Sequence, residues 1–225
     1  IPVSSSDLKT LRYTENSIHD FAWFADKRFH VRKGKVKLPD SGREITTWAI
    51  FTDQEAPLWK DAITYINNAI WYYSLWIGDY PYDNFTAVQG ALSAGLGMEY
   101  PGLTLIGHAE DPYMLDKVIA HEICHSWFYS ALGSDERRFP FMDESITAAY
   151  ESRYLDVRYP DKKLWEIYFR NRSLAKVFHI NKMPVQRLTE LAWLNIARRN
   201  LEQPVNLPAP DYSQVNYSIL IYNKA

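Results

Sequence analysis

Two histidines and a glutamate stand close enough in this sequence to act together chemically. The segment reads His121-Glu122-Ile123-Cys124-His125, so the two imidazoles are four residues apart. On an α-helix, residues four apart lie on the same face, one turn above the other. Two imidazoles on one face can bind a single metal ion, and the adjacent carboxylate can act as a base. The spacing therefore predicts a metal site, provided that this segment is helical.

A third metal ligand is expected from the residues that follow. Eighteen residues separate His125 from Glu144, which lies at the start of another predicted helix. Catalytic zinc sites hold the ion with three protein ligands and leave one position open for water, and a carboxylate serves as well as a third histidine. His121, His125 and Glu144 are therefore the predicted zinc ligands. A closed structural site is disfavoured because it usually needs several thiolates, and the chain has a single cysteine, Cys124.

The chemistry expected of such a site is hydrolysis. Zinc lowers the pKa of bound water to about 7 and polarises a carbonyl group. Glu122 is the predicted general base, which takes the proton of the attacking water and passes it to the leaving amine. A neutral donor must also stabilise the oxyanion, and such a donor is worth about 2.7–4 kcal/mol of barrier. The chain has 16 tyrosines, so spacing alone does not identify this donor.

Two helices are predicted to carry the ligands. Asp111 as the cap and Pro112 as the first residue open a helix over 112–132, which ends at Gly133. A second helix is predicted over 143–158, stopped by a proline. The glycine turn between them would bring Glu144 back beside the two histidines.

Extended segments are predicted before these helices, and further helices after them. Residues 28–52 are predicted to form a hairpin around a Pro-Asp-Ser-Gly turn. The other predictions are extended stretches at 8–14, 85–91 and 102–107, helices at 57–76, 162–177, 188–201 and from about Tyr217, and a proline-rich loop at 203–211. Strands first and helices later favour the α+β class, with a small, mostly antiparallel sheet followed by a helical lobe.

Composition excludes several classes of protein. The net charge is −2, from 25 basic and 27 acidic residues that are interspersed, so no nucleic-acid partner is expected. No apolar run reaches eighteen residues, so no membrane span is expected within these residues. The Gly90–Gly95 segment is not a Gly-x-Ser-x-Gly elbow, and the sequence has no phosphate-binding loop.

The chain opens at Ile1 without a signal peptide and is expected to be a piece of a longer protein, which leaves its cellular location open.

The pattern His-Glu-x-x-His, eighteen residues, then Glu resembles the gluzincin zinc aminopeptidases, the family of aminopeptidase N and membrane alanyl aminopeptidase. A second segment, Gly97-Met98-Glu99-Tyr100-Pro101, resembles the Gly-x-Met-Glu-Asn signature of that family. In the family this glutamate binds the free α-amino group of the substrate, which implies that role for Glu99. Tyr100 stands where the family has asparagine, and Leu96 stands where it has the first glycine.

The resemblance extends from about residue 16 to the end of the chain. Tyr222-Asn223-Lys224-Ala225 is similar to the family's Tyr-x-Lys-Gly segment, which implies that Tyr222 is the oxyanion donor. Gly97, Met98 and Tyr217 are assigned with Glu99 to substrate binding. The resemblance implies a thermolysin-like zincin fold over 25–225, a tail of an N-terminal β-domain over 1–24, and N- and C-terminal domains of the parent chain that this sequence lacks.

Three functions stay open at the level of sequence. The leading hypothesis is a zinc aminopeptidase that removes N-terminal residues, with neutral or hydrophobic ones favoured by the aromatic content. The second is a thermolysin-like endopeptidase, and Glu99 discriminates between them because a carboxylate reserved for an α-amino group disfavours internal peptide bonds. The third is a non-catalytic, peptide-binding relative. Thr147 and Glu151 are candidates for orienting the ligands, whereas the other four histidines are expected to be structural or exposed.

Overall fold

The computed structural model describes residues 10–93, 95–168, 171–185 and 187–223. A five-stranded sheet occupies the first half of the chain and helices follow it, so the fold is mixed α+β, as predicted. The strands are β1 (His30–Lys37), β2 (Glu44–Phe51), β3 (Asn84–Gln89), β4 (Gly97–Tyr100) and β5 (Leu103–Ile106), and their order in the sheet is β1-β2-β3-β5-β4. Strand β4 therefore lies at an edge, hydrogen-bonded on one side to β5.

The first two strands form the predicted hairpin. They pair antiparallel from His30 opposite Phe51 to Lys37 opposite Glu44. Burial alternates along β2, which is the pattern of a strand with one face against the core. Residues 10–14, predicted to be extended, belong to no strand, and residues 8 and 9 lie outside the described part of the chain.

The sheet is more parallel than the sequence suggested. Strands β2 and β3 pair in parallel, as do β3 and β5, whereas β4 pairs antiparallel with β5. The expectation of a mostly antiparallel sheet missed the crossover from β2 to β3. A helical connection of this length returns the chain to the same end of the sheet, and this makes the next strand parallel.

The helices are α1 (Ala56–Trp59), α2 (Ala62–Ile77), α3 (Pro112–His125), α4 (Ile146–Arg158), α5 (Leu164–Tyr168), α6 (Arg172–Val177), α7 (Arg187–Ala197) and α8 (Gln214–Asn216). Three π-helical turns, Ser126–Ala131, Phe141–Ser145 and Tyr217–Ile221, and a 3₁₀ turn, Ala209–Asp211, complete the helical part. The helix predicted at 57–76 is therefore divided into α1 and α2, and α2 ends before Gly78, whose φ is 132°.

Helix α3 begins where the sequence predicts. The Asp111 carboxylate accepts a hydrogen bond from the Met114 backbone N–H at 2.9 Å, and Pro112 is the first helical residue. A cap of this kind stabilises a helix by about 1 kcal/mol. After His125 the chain continues as the first π-helical turn, and Gly133 with a φ of 62° follows it.

Helix α3 packs at the centre of the fold, against α2, α4, β4 and β5. Much of the aromatic content is core: Trp59, Tyr73, Tyr80 and Tyr154 are fully buried. Because α3 contacts both the edge strand and α4, it brings the residues of three elements to one place. Among the described residues, no helix combines the length and hydropathy needed to cross a bilayer.

Candidate metal centre

The two histidines of α3 and one glutamate of the next helical segment converge. One ligand atom from each of His121, His125 and Glu144 lies within 4.8 Å of the others. Glu144 belongs to the π-helical turn that leads into α4. The structure thus brings together the three residues that the sequence predicts as zinc ligands.

The distances between these ligand atoms fit a tetrahedral ion. Glu144 Oε2 is 3.1 Å from His121 Nε2 and 3.5 Å from His125 Nε2. Zinc bonds of about 2.0–2.1 Å in a tetrahedron place neighbouring ligand atoms about 3.3–3.4 Å apart. Two imidazole nitrogens and one carboxylate oxygen are also the ligand types of catalytic zinc sites. The residues present therefore fit a zinc ion.

The second nitrogen of each imidazole is held by another carboxylate. His121 Nδ1 is 2.9 Å from Glu151 Oε2, and His125 Nδ1 is 2.5 Å from Asp143 Oδ1. Thr147 Oγ1 also lies 3.4 Å from His125 Nδ1. A carboxylate on Nδ1 fixes the tautomer and leaves Nε2 free for a metal, an arrangement common to metal-binding histidines.

Negative charge accumulates around the two imidazoles. The carboxyl groups of Glu99, Glu122, Asp143, Glu144 and Glu151 surround them, and all five are buried or nearly so. Asp143 Oδ2 has no hydrogen-bond partner among the described residues. The ionised members of this cluster require compensating positive charge. Protonated imidazoles, or a divalent cation between the two imidazoles, would supply it.

The electrostatic effect of this cluster appears at His121 and Glu144. Burial alone would lower the pKa of His121, but hydrogen bonds to Glu144 and Glu151 outweigh it and raise that pKa to about 10. Burial alone would raise the pKa of Glu144, but the two histidines outweigh it and hold that pKa well below its usual range. Glu144 is therefore a carboxylate, which is the state a metal ligand requires.

Removing the Glu151 side chain is expected to weaken zinc binding by about 10–100-fold, because His121 then loses the partner that orients its ring. The measurement is a zinc titration of the Glu151→Ala variant against a competing chelator. Ser152→Ala, at the next position of α4, is the matched control and should bind zinc like the wild type. Equal affinity in both variants would exclude an orienting role for Glu151.

The predicted general base lies between the helix and the edge of the sheet. Glu122 packs so closely on Gly97 of β4 that a Cβ there would lie 2.2 Å from Glu122 Oε1. On β5, Thr104 Oγ1 lies 3.3 Å from Glu122 Oε2. Burial raises the pKa of Glu122 to about 7, against the opposing field of the two histidines. A group with this pKa both accepts and returns a proton near neutrality.

Glu99 faces the same site from β4. Its side chain is buried, and a carboxylate oxygen lies within 4.8 Å of ligand atoms of His125 and Asp143. Burial raises the pKa of Glu99 to about 8, although His125 opposes the shift. Met98, also assigned to substrate binding, is half-buried on the same strand, and its carbonyl accepts a hydrogen bond from Thr104 at 2.9 Å.

Tyr222 also reaches the site, although it comes 78 residues after Glu144 in the sequence. Its hydroxyl donates to Glu144 Oε1, and its ring centroid lies 5.9 Å from that of His121. Ser145 Oγ donates to the Ile221 carbonyl at 2.7 Å, which ties the last turn to the turn that carries Glu144. Burial and the Glu144 charge raise the pKa of Tyr222 far above its usual range, so the hydroxyl stays a neutral donor.

The remaining residue assigned to substrate binding is Tyr217. Its ring centroid lies 6.0 Å from that of Tyr222, and burial, followed by the Glu144 charge, raises its pKa to about 12. Tyr217 thus packs against Tyr222 and lies close enough to Glu144 to be affected by its charge. Lys224 and Ala225, which complete the Tyr-x-Lys resemblance, lie outside the described residues.

Two residues of the site were not predicted from the sequence. Asp143 is one of them, and with the adjacent Glu144 on the π-helical turn it places a carboxylate at each nitrogen of His125. Thr104 was not singled out. The pairing of the two neighbouring strands β4 and β5 could have indicated Thr104, because it lies directly opposite Glu99 in this antiparallel pair.

A cavity of about 170 Å³ lies beside the cluster, between α3, α4 and the later helices. Its wall includes Tyr222 and Glu151 at the metal end and Met114 and Lys117 further along α3. A cavity of about 150 Å³ is large enough to hold a benzene ring. The cavity is thus large enough for an amino-acid side chain next to the candidate metal site.

The other described histidines take no part in this site. His30 Nε2 lies 2.6 Å from Asp53, His108 Nδ1 lies 3.0 Å from Glu55, and the His19 ring packs edge-on to Tyr129. None of them belongs to a group of metal-type side chains among the described residues.

No family model matches the chain, and no curated protein matches it. Among solved structures, the M1 zinc metallopeptidase from Deinococcus radiodurans is similar with a TM-score of 0.47 and 14% identity, over 75% of this chain and 33% of that one. A mutant of that enzyme bound to a Tyr-Ser-Ala substrate has a TM-score of 0.47 and 13% identity, over the same shares.

Aminopeptidase A from Legionella pneumophila in complex with aspartic acid is similar with a TM-score of 0.47 and 13% identity, over 57% of this chain and 16% of that one. The chain thus spans a third or less of the length of these solved structures. Because these TM-scores are below 0.5, the similarity supports no function for the chain. A function has to be argued from the geometry of the chain's own site.

Proposed function

We propose that this chain carries the catalytic site of a zinc-dependent aminopeptidase, which hydrolyses the N-terminal residue from peptides. The observation that supports this most strongly is the convergence of His121, His125 and Glu144 at tetrahedral distances. Glu122 of α3 and Glu99 of the edge strand β4 lie beside them. Two histidines and a glutamate leave one position of a tetrahedron open. The fold around them would be a thermolysin-like zincin domain.

Each polar group then has a separate task. Zinc, when bound, supplies Lewis-acid chemistry by acidifying water and polarising a carbonyl. Glu122 takes the proton of the attacking water on its carboxylate and delivers it to the leaving amine, so that it ends the cycle unprotonated. The Tyr222 hydroxyl donates a hydrogen bond to the oxyanion. Glu99 binds the α-ammonium group of the substrate, which fixes the N-terminus one residue from the scissile bond.

The contacts that β4 and the preceding Gly95 make with α3 support a direction for the bound substrate. Glu99 lies near His125, Gly97 lies against Glu122, and a Cβ on Gly95 would lie 3.7 Å from Met114. These contacts follow one another along α3, which rises about 1.5 Å per residue. With the α-amino group at Glu99 and the scissile carbonyl beside Glu122, the leaving peptide extends toward Met114. The 170 Å³ cavity, lined in part by Met114, lies on that side and suits the side chain that follows the scissile bond.

The test uses the purified chain with zinc analysis and two substrates. An aminoacyl chromogenic amide should be hydrolysed in the presence of one zinc per chain, and its N-acetylated form should not. Cleavage of N-acetylated peptides at internal bonds would instead indicate an endopeptidase. Zinc binding with no hydrolysis of either substrate would indicate a non-catalytic peptide-binding protein.

Glu99→Gln is expected to lower kcat/KM for the free-amino substrate by about 10–100-fold, because a charge-assisted hydrogen bond to the α-ammonium group is lost. The rate with the N-acetylated form should be the same in the variant as in the wild type. The ratio of the two rates, which measures the preference for a free N-terminus, should therefore decrease. Glu166→Gln on α5 is the control and should keep both rates. An unchanged preference in the Glu99 variant would remove Glu99 from amino-group binding.

A further inference from the structure

Thr104 is a fully buried polar side chain that faces the predicted general base. It lies on β5 directly opposite Glu99 of β4, and directly opposed residues of an antiparallel pair point to the same face of the sheet. That face is covered by α3, which carries Glu122. A threonine at this position is therefore aimed at the site rather than at solvent.

The Thr104 hydroxyl has two acceptors within reach. Thr104 Oγ1 lies 2.9 Å from the Met98 carbonyl oxygen and 3.3 Å from Glu122 Oε2. A hydroxyl has one proton to donate and two lone pairs that accept. With its single proton it donates to one of these two acceptors at a time, and donation to the charged carboxylate forms the stronger hydrogen bond.

Within the described part of the chain, Thr104 is the one side chain that hydrogen-bonds to the Glu122 carboxyl group. At the other carboxylate oxygen, Oε1, Gly97 leaves room for the carboxyl group but offers no side-chain contact. The Glu122 carboxyl group is thus confined between the backbone of β4 and the hydroxyl of Thr104. Confinement of this kind is what a base needs to meet a reacting water at a fixed geometry.

We propose that Thr104 is a positioning residue for Glu122, an inference that rests on the proposed function. The Thr104 hydroxyl donates to Oε2 of the Glu122 carboxylate. The other oxygen, Oε1, then takes the proton of the attacking water and returns it to the leaving amine, while Thr104 itself gains and loses no proton. The hydrogen bond to Oε2 fixes the Glu122 side chain in the position in which Oε1 meets the water.

Thr104→Val and Thr104→Ser separate the hydroxyl from the rest of the side chain. Valine keeps the shape and removes the hydroxyl, whereas serine keeps the hydroxyl. The valine variant is expected to lose about 10–100-fold in kcat, the loss typical of a hydrogen bond to a charged group. Its KM should stay within about two-fold of the wild type, because Thr104 does not contact the substrate. Serine should restore kcat to within about three-fold.

Two measurements do not depend on turnover. Both variants should bind one zinc per chain, because Thr104 contacts no predicted zinc ligand. Crystal structures should show the Glu122 carboxyl group displaced or in several rotamers in the valine variant, and in the wild-type position in the serine variant. If the valine variant does not fold, Thr104→Ala replaces it with the same expected loss of kcat relative to serine.

A valine variant with wild-type kcat and an unmoved Glu122 would overturn the role of Thr104. So would a serine variant as slow as the valine variant, since the hydroxyl would then be irrelevant. Failure of the proposed function has a different signature: the wild type itself would show no zinc-dependent hydrolysis. The crystal structures would in that case still decide whether the hydroxyl holds Glu122.

Discussion

Replacing Glu122 by glutamine is expected to lower kcat by about 10²–10⁴-fold, the range for removal of a positioned acid–base group. Glutamine has nearly the shape of glutamate, but its amide cannot take a proton from water. The expected loss lies toward the upper end of this range because the proposed mechanism gives Glu122 two tasks, as base and as proton donor to the leaving amine. Steady-state kinetics on an aminoacyl chromogenic amide measures it.

Zinc should stay bound in the Glu122→Gln variant. Glu122 is not among the three converging ligand residues, and its contacts are with Gly97 and Thr104. Elemental analysis should find one zinc per chain in the variant and in the wild type.

The matched control is Glu44→Gln on β2, whose side chain is 55% exposed and paired with Lys35 away from the site. Both kcat and zinc content should be unchanged there. A Glu122→Gln variant that kept more than about a tenth of wild-type kcat would assign the base to another residue.

The ligand triad could be predicted from the sequence because its geometry is largely local. Four-residue spacing places His121 and His125 on one face wherever the segment is helical, and the Asp111 cap with Pro112 makes the helix predictable. The prediction of Glu144 needed one further step, a turn that brings the next helix back beside the two histidines. The structure differs here in detail, since a π-helical turn precedes α4.

The residues around the triad could be predicted less well because tertiary packing determines their positions. Glu151 could be suggested from its place on the helix after Glu144, but its contact with His121 depends on how α3 and α4 cross. Tyr222 could be suggested by resemblance alone, since 78 residues separate it from Glu144. Thr104 meets Glu122 only because β5 lies between β3 and β4 beneath α3, an order that local propensity does not encode.

Replacing Glu144 by glutamine is expected to weaken zinc binding by more than about 100-fold, because a direct ligand contributes more than the outer partners, whose loss costs about 10–100-fold. The amide oxygen carries no charge, and the variant also leaves His121 and His125 without the carboxylate that lies 3.1 and 3.5 Å from their Nε2 atoms. At limiting zinc, hydrolysis should disappear together with the ion.

Thermal unfolding with and without zinc tests this independently of catalysis. An ion that binds only the folded state stabilises it by about 2.7 kcal/mol at a concentration of 100 times Kd, so wild-type Tm should rise with added zinc. In Glu144→Gln the rise should vanish at the same zinc concentration, whereas Glu190→Gln on α7, with an exposed side chain, should behave like the wild type. A zinc-dependent rise in Tm of equal size in the Glu144 variant would mean that zinc binds elsewhere on the chain. The proposed metal site, and the hydrolysis proposed to take place there, would then both be wrong.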